Sequence, residues 1–316
     1  MALAGAERVQ AGATRARILR YLARTWPLYL MLVPGIIFVA IFSYYPMYGV
    51  VIAFQDFNPG LGFTGSTWVG LKHFRYIFTL NPDFYNILRN TIVIASLKIV
   101  TMQVAAITLA LLLNEARSAL FKRSVQTVVY LPHFLSWIVL GGIVLDMVAS
   151  NGLITRTLKA MGLQDPPMFL GSNKWFVPTL VVTNLWQGVG WSTIIYLAAL
   201  TSVDPQLHEA AAIDGASRMQ RVWHVTLPGI SSTIVLLACL ALGNVLQAGF
   251  DQVFMLYNPA VYATGDILDT YVYRAGLISA QYSMAGAIGL VKSVVGFVLI
   301  VVAYYLADKY AGYRIF

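Results

Sequence analysis

Six stretches of this chain are long and apolar enough to be helices crossing a lipid bilayer. They run over about Leu28–Val51, Leu88–Leu113, Val125–Ala149, Trp175–Leu200, Gly229–Phe250 and Met284–Ala307. A hydrocarbon core about 30 Å thick needs roughly 20 helical residues to span it, because each residue rises only about 1.5 Å. Inside that core no water is present to satisfy backbone N–H and C=O groups, so the runs have to be helical or part of a closed barrel. Their length and continuous apolarity select helices. Composition agrees: 59% of the 316 residues are hydrophobic and 11% are charged, against about 25% charged in soluble domains. The expected fold is therefore all-α and polytopic, with about six transmembrane helices. Residues 25–316 form one membrane domain, and residues 1–24 form a basic cytoplasmic tail. The first run is too long, and Pro34 and Tyr44–Tyr45–Pro46 too unlike a small-residue cleavage site, for a removable leader. It is expected to stay as an anchor.

The distribution of Lys and Arg sets the expected orientation. Arg8, Arg15, Arg17, Arg20 and Arg24 precede the first span, and Arg117, Lys122 and Arg123 follow the second. Arg218 and Arg221 follow the fourth, and Lys309 and Arg314 close the chain. The opposite loops hold half as many, namely Lys72, Arg75, Arg156, Lys159, Lys174 and Arg274. By the positive-inside rule both termini and the loop after span four are expected in the cytoplasm. A net charge of +8 distributed this way reads as membrane orientation, and a nucleic-acid partner is not expected. The single cysteine, Cys239, excludes an intrachain disulfide.

The loop after span four, residues 204–228, has a local design of its own. Asp204–Pro205 reads as an N-cap followed by proline at the first helical position. Glu209, Ala210, Ala211 and Ala212 continue that helix, and Asp214–Gly215 ends it, glycine supplying the left-handed conformation of a C-terminal cap. Ser217 with Gln220 is a capping-box pattern for a second helix. Met219, Val222, Trp223 and Thr226 then recur on one face, an exposed apolar stripe, before Leu227–Pro228 closes the unit. Pattern alone leaves two readings: an amphipathic loop lying on lipid head groups, or a helix inserted in the groove of a cytoplasmic partner.

Glu209–Ala210–Ala211, Asp214–Gly215–Ala216 and Val225-x-Leu227–Pro228, in this spacing, resemble the EAA loop of the membrane subunits of bacterial ATP-binding-cassette importers. Ser232 stands where that family often has a further proline. Near the N-terminus, Tyr45–Pro46–Met47–Tyr48–Gly49, Phe54–Gln55–Asp56–Phe57–Asn58 and Trp68–Val69–Gly70–Leu71–Lys72–His73–Phe74 resemble the opening of the oligosaccharide-importer permeases. The resemblance implies an inner-membrane subunit that forms half of a sugar path. It implies a second homologous permease subunit, two ATPase subunits that carry the ATP and Mg, and an extracytoplasmic sugar-binding protein. It also implies that Glu209 to Pro228 couple ATPase motion to the membrane, with Gly215 as hinge and Met219, Val222 and Trp223 as anchors. Consistent with ATP chemistry on another polypeptide, the chain has no phosphate-cradling G-x-x-x-x-G-K-[ST] loop. No cofactor, metal site or catalytic constellation is expected in the chain itself.

Polar side chains inside spans are costly and tend to face a wet interior. Thr91, Lys98, Thr101 and Thr108 share a helical face in span two; Asn184, Gln187, Gly188 and Trp191 do so in span four. Asn244, Gln247 and Asp251 align in span five, and Lys292 rises from a small-residue face in span six. Lys98, Gln187, Trp191, Asn244, Gln247 and Lys292 are therefore the candidate path lining. Two lysines suit an acidic sugar, a uronate oligomer such as alginate, through charge-assisted hydrogen bonds. The competing reading is that the lysines only neutralise Asp146 or Asp251. A secondary transporter, a membrane-embedded enzyme and a scaffold subunit are the other function classes; the sequence shows neither inverted repeats nor a clustered acid, base or metal set.

Overall fold

The computed structural model describes residues 25–311; the basic tail, the last residues and the charges they carry lie outside them. The fold is helical apart from one two-residue antiparallel pairing, β1 (Gln55–Asp56) with β2 (Thr67–Trp68). The helix α1 covers Thr25–Phe54, and across its apolar window no residue is buried within the chain. Pro46 has no N–H to donate, and the turn before it widens: the Tyr45 amide bonds back to the Ala40 carbonyl as a π-turn. Among the described residues it is the C-terminal end of α1 that meets the bundle, where Ala53 is buried and Ile52 lies against Gly286.

After α2 (Lys72–Thr79) comes α3 (Phe84–Glu115), the 32-residue helix around which the rest is organised. The expected third span is not one helix. α4 (Ala119–Tyr130) ends in a 3-10 turn, Leu131–Phe134, and α5 (Trp137–Val148) restarts with Ser136 as N-cap. Pro132 is the cause, because its ring and missing donor cannot continue an α-helix. α6 (Leu153–Ala160) follows a tight turn at Gly152. α7 (Asn173–Leu200) packs along α3, sealed at one end by Ala106, Ala110, Tyr196, Leu200 and Ile230. Ile94, Phe176, Leu180, Val253 and Leu256 fill a second core towards the other end.

α8 (Pro205–Ile213) and α9 (Arg218–Gly229) form the loop unit. α10 (Ser231–Gly243) follows α9 at a 61° bend and then stops. The fifth span is thus shorter than its apolar run. Asn244 to Gly249 are non-helical, and α11 (Phe250–Leu256) restarts beyond them. Asn244, Gln247 and Asp251 therefore do not share a helical face as the hydropathy pattern predicts. α12 (Leu268–Tyr273) and α13 (Tyr282–Ala311) complete the described chain.

Among the described residues four helical stretches have the length and apolarity to cross a membrane: α1, α3, Trp137–Ala160 and α13. The bent pair α9–α10 makes a fifth. α7, at 28 residues, has the length of a span but carries Asn184, Gln187, Ser192 and several threonines, which lower its apolarity.

Candidate functional site

The break after α10 is the centre of the candidate site. Short turn bonds, Asn244 N to Ala241 O and Gln247 N to Asn244 O at 2.8 Å, replace the helical ladder, and Gly249 takes φ +85° to allow the restart. Non-helical backbone at membrane depth is tolerated where it is buried in protein or lines a wet cavity. Here it lines a cavity of about 350 Å³ between α3, α7 and α10. Lys98 of α3 is 7% exposed, and its Nζ donates to the Ala248 carbonyl at 2.6 Å, capping an acceptor that the break leaves without a helical donor. A Cβ on Gly249 would lie 3.1 Å from that Nζ. Gln103, Asn184, Trp191, Ser192, Asn244 and Gln247 share the lining, and no carboxylate is among it.

The kink in span three contributes a wall. His133, in the turn after Pro132, stacks on Trp191 with ring centroids 4.7 Å apart and planes 6° from parallel. Gly190 permits this approach: a Cβ there would sit 2.3 Å from the Val129 carbonyl oxygen. His133 thus packs against the face of Trp191.

A second cavity, about 750 Å³, adjoins the first between α1, α12 and α13, and Gln247 and Gly249 line both. Lys292 opens into it and is ion-paired with Asp269 of α12. That partner is neither Asp146 nor Asp251, the two carboxylates nearest to expectation. Of the six path candidates, Lys98, Trp191, Asn244 and Gln247 meet at the first cavity and Lys292 meets Gln247 at the second. Gln187 is half-buried and lines neither. Gln103 and Asp269 belong to the site without having been selected from sequence. Gln103 lies well round α3 from Lys98 and Thr101, off the stripe that selected them, and Asp269 lies on α12, a six-residue helix too short for periodicity to reveal.

Above these cavities a polar cap ties the loops to α3. Asn90 donates to the Ala263 and Asp266 carbonyls, and the Leu268 amide donates to Thr91 Oγ1 at 2.9 Å. Arg274 holds the Asp266 carboxylate with both terminal nitrogens. Burial works against the arginine's charge, but the carboxylate more than offsets it and raises its pKa above the ordinary value.

The loop unit has the caps its sequence predicts. Asp204 Oδ1 accepts from the Gln206 amide at 2.9 Å, Gly215 takes φ +80°, and Ser217 and Gln220 make both bonds of a capping box. Glu209, Ala210 and Asp214 are exposed, Ala211 is half-buried, and Ile213 is 86% exposed. Met219 and Trp223 are exposed, Val222 and Leu227 half-buried, and Pro228 exposed. The stripe itself differs at one position. A π-turn over Val222–Thr226, ahead of Pro228, inserts an extra residue and rotates Thr226 inward, so Thr226 is buried. Met219, Val222, Trp223 and Leu227 border an apolar groove of about 570 Å³ with Val104, Ile107 and Leu111 of α3.

Residues 103–312 match the family of the binding-protein-dependent transport system inner membrane component. The chain is 46% identical to the polygalacturonan/rhamnogalacturonan transport system permease protein YteP of Bacillus subtilis (strain 168), over 94% of this chain and 92% of that one. It is 45% identical to the protein LplB of the same organism, over 90% and 89% of the two chains. Among solved structures it superposes with a TM-score of 0.85 and 37% identity on a chain of a bacterial ABC transporter involved in the import of the acidic polysaccharide alginate, covering 93% of this chain and 99% of that one. The α9–α10 unit, the broken span and α7 lie within residues 103–312, and the chain belongs to the family of inner-membrane permease components of binding-protein-dependent ABC transporters.

Proposed function

We propose that this chain forms half of the membrane path of an importer for acidic oligosaccharides, uronate-containing chains of the pectin or alginate kind. The observation that carries the substrate class is Lys98. A buried ammonium in a cavity without a carboxylate is electrostatically incomplete, since its one strong partner is a neutral carbonyl. Desolvating a lone charge costs several kcal/mol, and an opposite charge brought into the cavity recovers much of that. A uronate carboxylate supplies it, while Gln103, Asn184, Asn244 and Gln247 offer donors and acceptors to sugar hydroxyls. Trp191, held flat by His133, offers an apolar face to a ring. Two relatives that handle acidic polysaccharides, one of polygalacturonan and one of alginate, support the same class.

Both termini and the α8–α9 loop face the cytoplasm in this reading, following the bias of basic residues. The path is completed by a second homologous permease, powered by two ATPase subunits that bind ATP and Mg, and loaded by an extracytoplasmic binding protein. Glu209 to Pro228 dock on the ATPase, with the exposed faces of α8 and α9 as the contact and Gly215 as the hinge between them. Motion of the loop passes through the bend to α10, whose far end is the break at Asn244–Gly249. Docking and cavity are thus the two ends of one lever.

The test is co-purification of the tagged chain with its genomic neighbours, followed by sugar import into proteoliposomes. A Walker-motif ATPase retained by wild type and lost with Gly215→Pro and Trp223→Asp supports the coupling role. Absence of any ATPase from the wild-type preparation removes it. Import of an oligogalacturonate in preference to its carboxyl-reduced form supports the substrate class, and equal import of the two removes that part alone.

A further inference from the structure

The polar cap contains two lysine- or arginine-to-aspartate pairs built in opposite ways. In Arg274–Asp266, both carboxylate oxygens are engaged by the guanidinium, Thr270 adds a bond to Oδ1 at 2.8 Å, and Arg274 lies over the Tyr262 ring at 4.5 Å. The Asp266 side chain is 4% exposed. Every polar atom of that carboxylate is spoken for, and the pair fastens α12 to the segment before it. In Lys292–Asp269, a single ammonium contact joins α13 to the first turn of α12, and the side chains are 21% and 24% exposed. Neither group makes another side-chain hydrogen bond, and both face the 750 Å³ cavity. Phe250, Tyr273 and Tyr282 give that cavity flat apolar walls of the kind that sugar rings stack on.

A pair joined by a single contact and facing an open cavity has no further bond to break, so another carboxylate can replace its acid one contact for one. The sealed Arg274–Asp266 pair offers no such exchange. Lys292 also adjoins the Lys98 cavity through Gln247 and Gly249, which places it where an oligomer threading the first cavity would put its next residues.

We propose that Asp269 is an internal stand-in for a substrate carboxylate: it competes with an incoming uronate for Lys292, which makes the Lys292–Asp269 pair a charge-selective subsite of the outer cavity. This rests on the acidic-oligosaccharide reading above. An anionic sugar displaces Asp269 from Lys292, and a neutral sugar leaves the pair closed. The pair therefore also holds α12 against α13 until a charged substrate arrives.

The experiment uses the complete transporter, with its partner subunits, in lipid nanodiscs and without binding protein. Trigalacturonate and its carboxyl-reduced, neutral counterpart are the probes, and equilibrium dialysis gives the dissociation constant of each. Asp269→Asn is expected to tighten trigalacturonate about three- to tenfold, as the competitor for Lys292 is removed, and to leave the neutral sugar unchanged. Asp269→Glu keeps the competitor and is expected to behave as wild type. Lys292→Gln weakens trigalacturonate alone, and adding Asp269→Asn to it has no further effect. Unchanged or weaker trigalacturonate binding in Asp269→Asn overturns the proposal, as does an equal shift for both sugars or no binding of trigalacturonate by any variant. If Asp269→Asn does not assemble, Lys292→Gln decides by itself: equal weakening of both probes overturns the proposal. Import of sugar by wild-type proteoliposomes in the face of any of those results leaves the permease role standing and removes only this subsite.

Discussion

Lys98 Nζ lies 2.6 Å from the carbonyl oxygen of Ala248, so the long helix α3 holds the broken end of the fifth span through one hydrogen bond. The two residues are 150 positions apart in the chain. The bond joins the helix that organises the bundle to the segment that lines both cavities, and it makes the lysine responsible for two things at once, the shape of the break and the charge of the cavity.

Lys98→Met removes both at once, and import and melting report on them separately. A charge-assisted hydrogen bond contributes about 1.5–3 kcal/mol, so import of an acidic oligosaccharide should fall roughly ten- to hundredfold. Stability should change less, because an unpaired buried charge disappears along with the bond. Initial import rates in proteoliposomes, set beside melting of the detergent-solubilised complex, measure the two effects. A loss of melting temperature without a change in import per assembled complex would contradict the assignment.

Gly249→Ala introduces a side chain at φ +85°, where L-residues are strained by about 1–2 kcal/mol, with its Cβ 3.1 Å from Lys98 Nζ. The expected outcome is a melting temperature several degrees lower and import reduced in parallel with Lys98→Met. An alanine variant as stable and active as wild type would show that the break relaxes freely and that Lys98 does not depend on it.

The loop offers a cleaner pair of variants. Ile213 is 86% exposed and no core of the chain includes it, whereas Trp223 borders the groove shared with α3. Ile213→Asp should leave the chain's own melting unchanged and still weaken ATPase retention, by about 2 kcal/mol or thirtyfold if it is a central anchor. Trp223→Asp should lower both. Pull-down of the ATPase together with melting curves distinguishes docking from internal packing.

Asp56 gives a pH signature on the loop that carries the β1–β2 hairpin. Hydrogen bonding from Lys72 at 2.7 Å holds its pKa below the ordinary 3.8, against a smaller opposing effect of burial. A carboxylate depressed on folding stabilises the folded form above the unfolded pKa, and that contribution is lost as pH falls through the folded value. The difference in melting temperature between wild type and Asp56→Asn should therefore be constant from neutral pH down to about pH 5, shrink as pH falls past the ordinary 3.8, and vanish only once pH lies below the depressed folded-state value. A difference that instead grows on acidification contradicts the sign.

The loop unit was the part most legible in the sequence, because its determinants are local. Asp204 caps an amide two residues on, Ser217 and Gln220 cap each other across three, and Gly215 needs only its own dihedral. Helix existence was legible for the same reason: hydropathy registers solvent. It does not register hydrogen bonds, so it carried span five straight across Asn244–Gly249, although glycines at 243 and 249 flank the break. Helical phase found Lys98 and Trp191 because α3 and α7 are regular there, but Gln187, on the same expected face, lines neither cavity. Asn244 and Gln247 reach the cavity for a different reason than the one that selected them, by turns in place of a helical face. Asp269 was invisible, since its partner lies 23 residues away across a folded cap.

Among the described residues the helix α1 meets the bundle through its C-terminal end, with Ala53 buried, Ile52 on Gly286 and no buried residue across its apolar window. The contacts made across that window by the described residues do not set its tilt; bilayer thickness and the neighbour it meets do. A part attached by one joint can be exchanged without redesigning the machine. Chimeras that swap α1 between homologues should fold as readily as their parents, while their choice of partner subunit travels with the swapped helix.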